Sequence, residues 1–121
     1  MGNEDLAWAA GFFDGEGYIG RRNTGVPYKR MDGSFGKQYT SVRMAVTQTG
    51  PHAKEMLLRF QQSVCGIGKI SGPLKVREGW SARYEWICDG VEKCHLVVGL
   101  LQLWLTARKL EQAKRALFNA P

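Results

Sequence analysis

Between Gln38 and Gln48 the chain alternates strictly, with Val42, Met44 and Val46 interleaved by Ser41, Arg43 and Ala45. A strand has a side-chain period of two, so this run carries one apolar and one polar edge. Such a segment demands a sheet covered on one face and open on the other. A second run, Ser81–Cys88, repeats the pattern, with Tyr84 and Trp86 on one face and Arg83 and Glu85 on the other. Shorter extended segments are expected near residues 18–23 and from Lys69-Ile70-Ser71 onward, the latter kinked or ended at Gly72-Pro73. Gly25, Pro27, Gly33 and Gly36 interrupt the chain between the first two strands, which predicts a long loop or flared hairpin tip over residues 24–37. Glu78-Gly79 reads as a turn.

The remaining segments supply the cover. A first helix is expected over Asn3–Phe13, with Asn3 as N-cap and Gly15 and Gly17 ending it. Gly50-Pro51 opens a second, with Pro at the first helical position, and Met56, Leu57, Phe60 and Val64 fall at helical spacing before Gly66 stops it. Asp89-Gly90-Val91-Glu92 has the spacing of a capping box ahead of two further helices, about 91–103 and 105–118. The order α-β-β-α-β-β-α-α predicts an α+β fold with an antiparallel sheet and helices on one face. Its two αββ halves look like a duplication of architecture, and 121 residues fit a single domain, 1–121.

With 44% hydrophobic and 23% charged residues the chain has an ordinary globular composition, and it contains no apolar run long enough to cross a membrane. The acidic start, Glu4 and Asp5, does not look like a signal peptide. Three cysteines, 65, 88 and 94, give an odd count without repeated spacing, so a reducing, intracellular setting is expected. The net charge of +6 is unevenly placed. Glu4, Asp5, Asp14 and Glu16 make residues 1–17 a block of −4, whereas six basic residues against Asp32 make residues 18–45 a block of +5. That pattern fits a small acidic site set into a surface for a polyanion, and neither a membrane nor a small-molecule substrate is expected.

The acidic block contains the most informative stretch, Ala9-Ala10-Gly11-Phe12-Phe13-Asp14-Gly15-Glu16-Gly17. Ala7, Ala10, Gly11 and Asp14 lie at i, i+3, i+4 and i+7 and share a helical face almost bare of bulk. Taken alone, the stretch also suits a helix packed on its own core with two solvated acids at its end.

Residues 9–17 resemble, without gaps, the motif of the LAGLIDADG homing endonucleases, keeping Ala10, Gly11, Asp14, Gly15 and Gly17, with Glu16 where that family often has Asp. The resemblance extends to the αββαββα order, to Val46-Thr47-Gln48 at the end of the second strand, to Gly66-Ile67-Gly68 and to Lys109. It implies an enzyme of mobile introns or inteins that cleaves double-stranded DNA at a long pseudo-palindromic site. One motif copy implies a homodimer joined through the residue 7–14 helices, by Ala7, Ala10, Gly11 and Asp14. It also implies Mg²⁺, or another divalent cation such as Mn²⁺ or Ca²⁺, held by Glu16 and the Gly15 backbone carbonyl. Gln48 would position water and Lys109 would offset charge on the phosphate. The same resemblance leaves open a non-cleaving nucleic-acid binder, an intron RNA maturase or a DNA-binding regulator. The chain is short for a single-motif member.

Strand parity assigns the DNA-facing residues. Tyr18, Arg22, Tyr39, Ser41, Arg43, Lys69, Ser71, Arg83 and Glu85 fall on the polar face, with Lys75 and Arg77 just beyond the third strand. Arg22 and Arg43 suit guanine in the major groove, Glu85 suits cytosine or an arginine partner, and Lys29, Arg30 and Lys37 suit phosphates at the hairpin tip. Cys88 with Cys94-His95 lacks the second close pair of a zinc site. His52 reads as a surface residue, and Trp8, Trp80, Trp86 and Trp104 read as core or near-core. Gly15-Glu16-Gly17-Tyr18-Ile19-Gly20 follows a helix and precedes a strand, the reverse of a dinucleotide fingerprint.

Overall fold

The computed structural model describes residues 2–23, 30–34, 40–74, 77–79 and 81–118, with Arg22, Asn23 and Thr40 described in backbone alone. Lys29, Lys37, Tyr39, Lys75 and Trp80 lie outside the described residues. The elements run α1 (Asn3–Glu16), β1 (Gly17–Asn23), β2 (Thr40–Thr49), α2 (Ala53–Ser63), β3 (Lys69–Leu74), β4 (Arg83–Asp89), α3 (Val91–Leu101) and α4 (Ala107–Phe118). The order is the expected one. All strand pairs are antiparallel in a single sheet ordered β1-β2-β4-β3, so two hairpins meet along β2 and β4.

Parity decides which face is covered. Val42, Met44, Val46, Trp86 and Cys88 are buried, while Ser41, Arg43, Glu85 and Ile87 between them keep partial exposure. Helices α1 to α4 pack on the buried side, α2 against β4 and β2, α3 against β2, and α4 against β1. The core is centred on Trp86. Phe60 meets it edge-on at 4.8 Å, Phe13 stacks on Phe60 at 6.2 Å, and the indole N–H donates to the Ile67 carbonyl at 2.9 Å. Gly68, at φ +92°, lies where any Cβ would run into the Trp86 ring. Trp104 packs partly buried on this core, and Trp8 stacks on Phe12 at 5.2 Å with the Arg59 guanidinium 3.9 Å from its ring.

Several boundaries differ from the sequence reading, each for a local reason. Helix α1 continues past Phe13 through Gly15 to Glu16, and its N-cap is Gly2, not Asn3, with no side-chain cap bond. A mid-helix glycine weakens a helix by about 1 kcal/mol, but here Asp14 is anchored from outside the helix, as described below. Pro51 is not the first helical residue: Gly50 turns at φ +113°, Ala53 N–H bonds the Gly50 carbonyl at 3.2 Å, and α2 starts at Ala53. The end of α2 is closed by Gly66 N–H on the Gln61 carbonyl (2.8 Å) and Cys65 N–H on that of Gln62 (3.2 Å). The capping box does not form. Gly90 is the N-cap of α3 with no side-chain bond, because the Asp89 carboxylate is engaged elsewhere. Gly72-Pro73 carries the register shift of edge strand β3, and a Cβ at Gly72 would lie 2.8 Å from the Arg83 carbonyl. Among the described residues no helix is long and apolar enough to cross a membrane.

Because Trp86 is fully buried and touches both Phe60 and Ile67, Trp86→Ala is expected to destabilise the fold by about 3–5 kcal/mol. Urea unfolding followed by far-ultraviolet circular dichroism checks this, with Trp86→Phe losing much less.

Candidate functional site

Glu16, Gln48 and Lys109, far apart in sequence, meet where α1 hands over to β1. Glu16 is the exposed last residue of α1. Gln48, one residue from the end of β2, donates through Nε2 to Glu16 Oε2 at 3.3 Å and to the Thr47 carbonyl at 2.9 Å. Lys109, in the first turn of α4, donates from Nζ to the Gly17 carbonyl at 2.9 Å and sits 5.5 Å from the Phe13 ring centroid. Gly17 is extended, at φ −93° and ψ 158°, which any residue adopts. Glycine is needed there for space, since a Cβ would overlap the Phe13 ring.

The position of Lys109 is set by a relay from the motif helix. Asp14 accepts the Thr106 backbone N–H at 3.0 Å through one oxygen and the Thr106 hydroxyl at 2.9 Å through the other. That hydroxyl in turn accepts the Lys109 N–H at 3.4 Å, so Thr106 caps α4 while Asp14 holds the cap. Acidic charge beside a helix N-terminus is also favoured by the helix dipole. Asp14 is therefore occupied inside the chain, a role the small-residue reading missed although Thr106 stands directly before the last helical stretch. Ala10 also departs from expectation. It is fully buried in this chain's own core with Ala9 and Phe13, because residues 9, 10 and 13 form the inward side of α1. The outward row is Ala7, Gly11 and Gly15, with open space where a Cβ would stand on both glycines.

Of the residues assigned to it by parity, Tyr18, Ser41, Arg43, Lys69, Ser71, Arg83 and Glu85 lie on the open sheet face. Tyr18 is 51% exposed, and its hydroxyl lies over Gly20, where a Cβ would displace it. The Arg22 backbone pairs with Ser41, Gly20 with Arg43, and Arg43 with Asp89. Lys69, Ser71, Arg83 and, beyond β3, Arg77 are exposed, and Arg30 is exposed in the turn at residues 30–34. There, Gly33 N–H bonds the Arg30 carbonyl at 3.0 Å, and hydrogen bonds from Ser34 hold the Asp32 carboxyl below its usual pKa. Asp89 was not foreseen on this face. Its carboxylate grips Arg43 bidentately, Nε at 2.6 Å and Nη2 at 2.9 Å, and these bonds raise the Arg43 pKa above its ordinary value. Glu85 accepts from the Thr47 hydroxyl at 3.4 Å, and its charge adds a smaller upward push on the Arg43 pKa. Extending the same parity to the ends of β2 and β4 would have found Thr47, Ile87 and Asp89. His52 is exposed beside Glu55 at 3.5 Å, and His95 rests edge-on to Phe118 at 5.0 Å.

Gly15 and Glu16 are exposed at the end of α1 and offer a backbone carbonyl and a carboxylate, oxygen donors of the type that suits a hard divalent cation. Among the described residues no three His, Cys, Asp or Glu side chains cluster, and Glu16 is the carboxylate that stands beside Gln48 at the junction.

No protein-family model matches the sequence, and no curated protein matches it. Solved structures do. I-CvuI, a homing endonuclease in complex with the I-CreI target, superposes with a TM-score of 0.67 at 24% identity, over 96% of this chain and 67% of that one. I-CeuI, a group I intron-encoded homing endonuclease complexed with DNA, gives 0.64 at 18%, over 94% and 52%. The LAGLIDADG meganuclease I-CpaMI, bound to uncleaved DNA, gives 0.66 at 18%, over 93% and 35%, so this chain spans about a third of that protein. The chain thus has the fold of the LAGLIDADG homing endonucleases, an α+β architecture with a four-stranded antiparallel sheet.

Asp14→Ala, which removes the acceptor for Thr106, is expected to lower stability by about 1 kcal/mol, the usual net value of a hydrogen bond. Asp14→Asn, which keeps an acceptor for Thr106, is expected to recover most of it. Equilibrium urea unfolding of the three proteins checks the order.

Proposed function

We propose that this chain is a single-motif LAGLIDADG homing endonuclease, a one-domain intracellular protein that cuts double-stranded DNA as a homodimer. The observation that carries the reading is the convergence of Glu16, Gln48 and Lys109 at one end of a basic open sheet. Hydrolysis of a phosphodiester needs oxygen ligands for a cation, a group to orient water and a positive charge near the phosphate. These three residues supply one of each.

Glu16 and the Gly15 carbonyl would hold Mg²⁺, or another divalent cation. When bound, that cation supplies Lewis-acid stabilisation of the phosphate and lowers the pKa of water. Gln48, already bonded to Glu16, orients water through its amide. Lys109, fixed by the Asp14–Thr106 relay, offsets charge on the phosphate oxygens.

A second copy completes the site. The row Ala7, Gly11, Gly15 permits close approach of two motif helices, bringing two Glu16 carboxylates together. Two chains of +6 each present +12 to the duplex. Ser41, Arg43, Lys69, Ser71, Arg83 and Tyr18 would face the DNA from the sheet, and Arg30 and Arg77 would face phosphates. The unbroken set of Glu16, Gln48 and Lys109 favours cleavage over a binding-only role.

The test is a plasmid carrying the sequence that flanks this gene, joined without the coding insert, incubated with protein and Mg²⁺. Wild type is expected to cut it, and Glu16→Gln is expected to bind it equally while cutting at least about a hundredfold more slowly. If wild type binds that DNA and never nicks it, the protein is a binder and not a nuclease.

A further inference from the structure

The nuclease reading makes no use of Cys88 and Cys94. Cys88 ends the buried side of β4 and Cys94 lies in the first turn of α3; both are buried. Their sulfurs are 4.0 Å apart, and the Cys94 thiol also lies 3.4 Å from the Cys88 carbonyl. A buried cysteine is ordinarily a small apolar filler. Two features separate this pair from that role. The hydrogen bond from Cys94, with a smaller contribution from Lys93, lowers the Cys88 pKa, whereas the same bond and burial raise that of Cys94. Cys88, itself 1% exposed, is also among the residues lining an open cavity of about 670 Å³, with Ile67, Lys69, Lys93 and Leu96.

We propose that Cys88 and Cys94 form a dithiol site that a hydroperoxide oxidises to a disulfide, with Cys88 as the attacking sulfur and Cys94 as the resolving one. The inference is independent of the nuclease reading. The Cys88 thiolate attacks one peroxide oxygen, the O–O bond breaks, and the other oxygen leaves with a proton as water or an alcohol. Cys88 is then a sulfenic acid. The Cys94 sulfur attacks Cys88, the S–O bond breaks, and the hydroxyl leaves as water with the Cys94 proton. Two thiols lose two electrons and the peroxide gains them. The sulfurs must close from 4.0 Å to about 2.05 Å. Gly90, at φ +103° in the short connection between β4 and α3, is held by its N–H on the Val42 carbonyl at 2.9 Å and by the Cys94 N–H on its own carbonyl at 3.0 Å, so the approach falls to the two cysteine side-chain torsions.

The test uses the full chain and hydrogen peroxide. After treatment the folded protein is denatured, alkylated and digested with trypsin, which cuts after Lys93 and so puts the two cysteines on different peptides, 84–93 and 94–108. The expected product is a dithiothreitol-reversible link between those peptides, with alkylatable thiols falling from three to one when Cys65→Ser controls assign the remaining thiol to Cys65. Cys94→Ser is expected to stop at a sulfenic acid on Cys88 that dimedone traps. Recovery of Cys88 and Cys94 both fully alkylatable, while exposed Cys65 is oxidised, would overturn the proposal. So would oxidation of Cys88 beyond the sulfenic acid in wild type with no linked peptide.

Discussion

Phe13 is the residue on which core and site both depend. Its ring is fully buried against Phe60, and through Phe60 it leans on Trp86 and hence on the central strand β4. The same ring closes the space above Gly17, so the chain can pass from helix to strand there only with no side chain. Lys109 reaches the Gly17 carbonyl at the same junction, with its Nζ 5.5 Å from the Phe13 ring centroid. Burial of one aromatic side chain, a term of about 1.5–3 kcal/mol, therefore sets the angle at which α1 delivers Glu16 to the end of the sheet. The polar relay from Asp14 through Thr106 then holds α4 to the same point.

On the open face a different interaction governs. The Arg43–Asp89 pair is partly exposed, with side-chain exposures of 24% and 52%, so its net effect on stability is below about 1 kcal/mol. Its value is geometric. A bidentate carboxylate fixes the plane of the guanidinium, where a lone arginine would sample many rotamers. The face is thus less positive than a count of its arginines suggests, and its charges are more rigidly placed.

The layout was legible in the sequence wherever a period ran long enough. Val42, Met44 and Val46 fixed the parity of β2, and the register then carried that parity to Tyr18, Glu85 and Lys69 on three other strands. Features set by tertiary partners were not legible. Gly15 looks like a helix stop, yet α1 runs through it because Asp14 is held by Thr106, ninety-two positions away. Asp89 has the spacing of a cap, yet an arginine forty-six positions away takes its carboxylate. Ala10 and Gly11 are adjacent and equally small, and only the packing of Phe13 decides which of them faces inward.

The separation of the acidic residues bears on how many chains a working site needs. Each Asp14 oxygen already accepts a hydrogen bond from Thr106, and drawing the carboxylate toward a cation would loosen the cap of the helix that carries Lys109. Glu4 and Asp5 sit at the far end of α1, and fourteen residues at 1.5 Å rise put the helix ends about 20 Å apart. Glu16 is the exposed carboxylate that the chain brings to the junction. Divalent cations at a phosphate would take more oxygen ligands than one carboxylate offers. On the proposed reading a second copy supplies them, through the row of Ala7, Gly11 and Gly15 that leaves the outward side of α1 free of bulk.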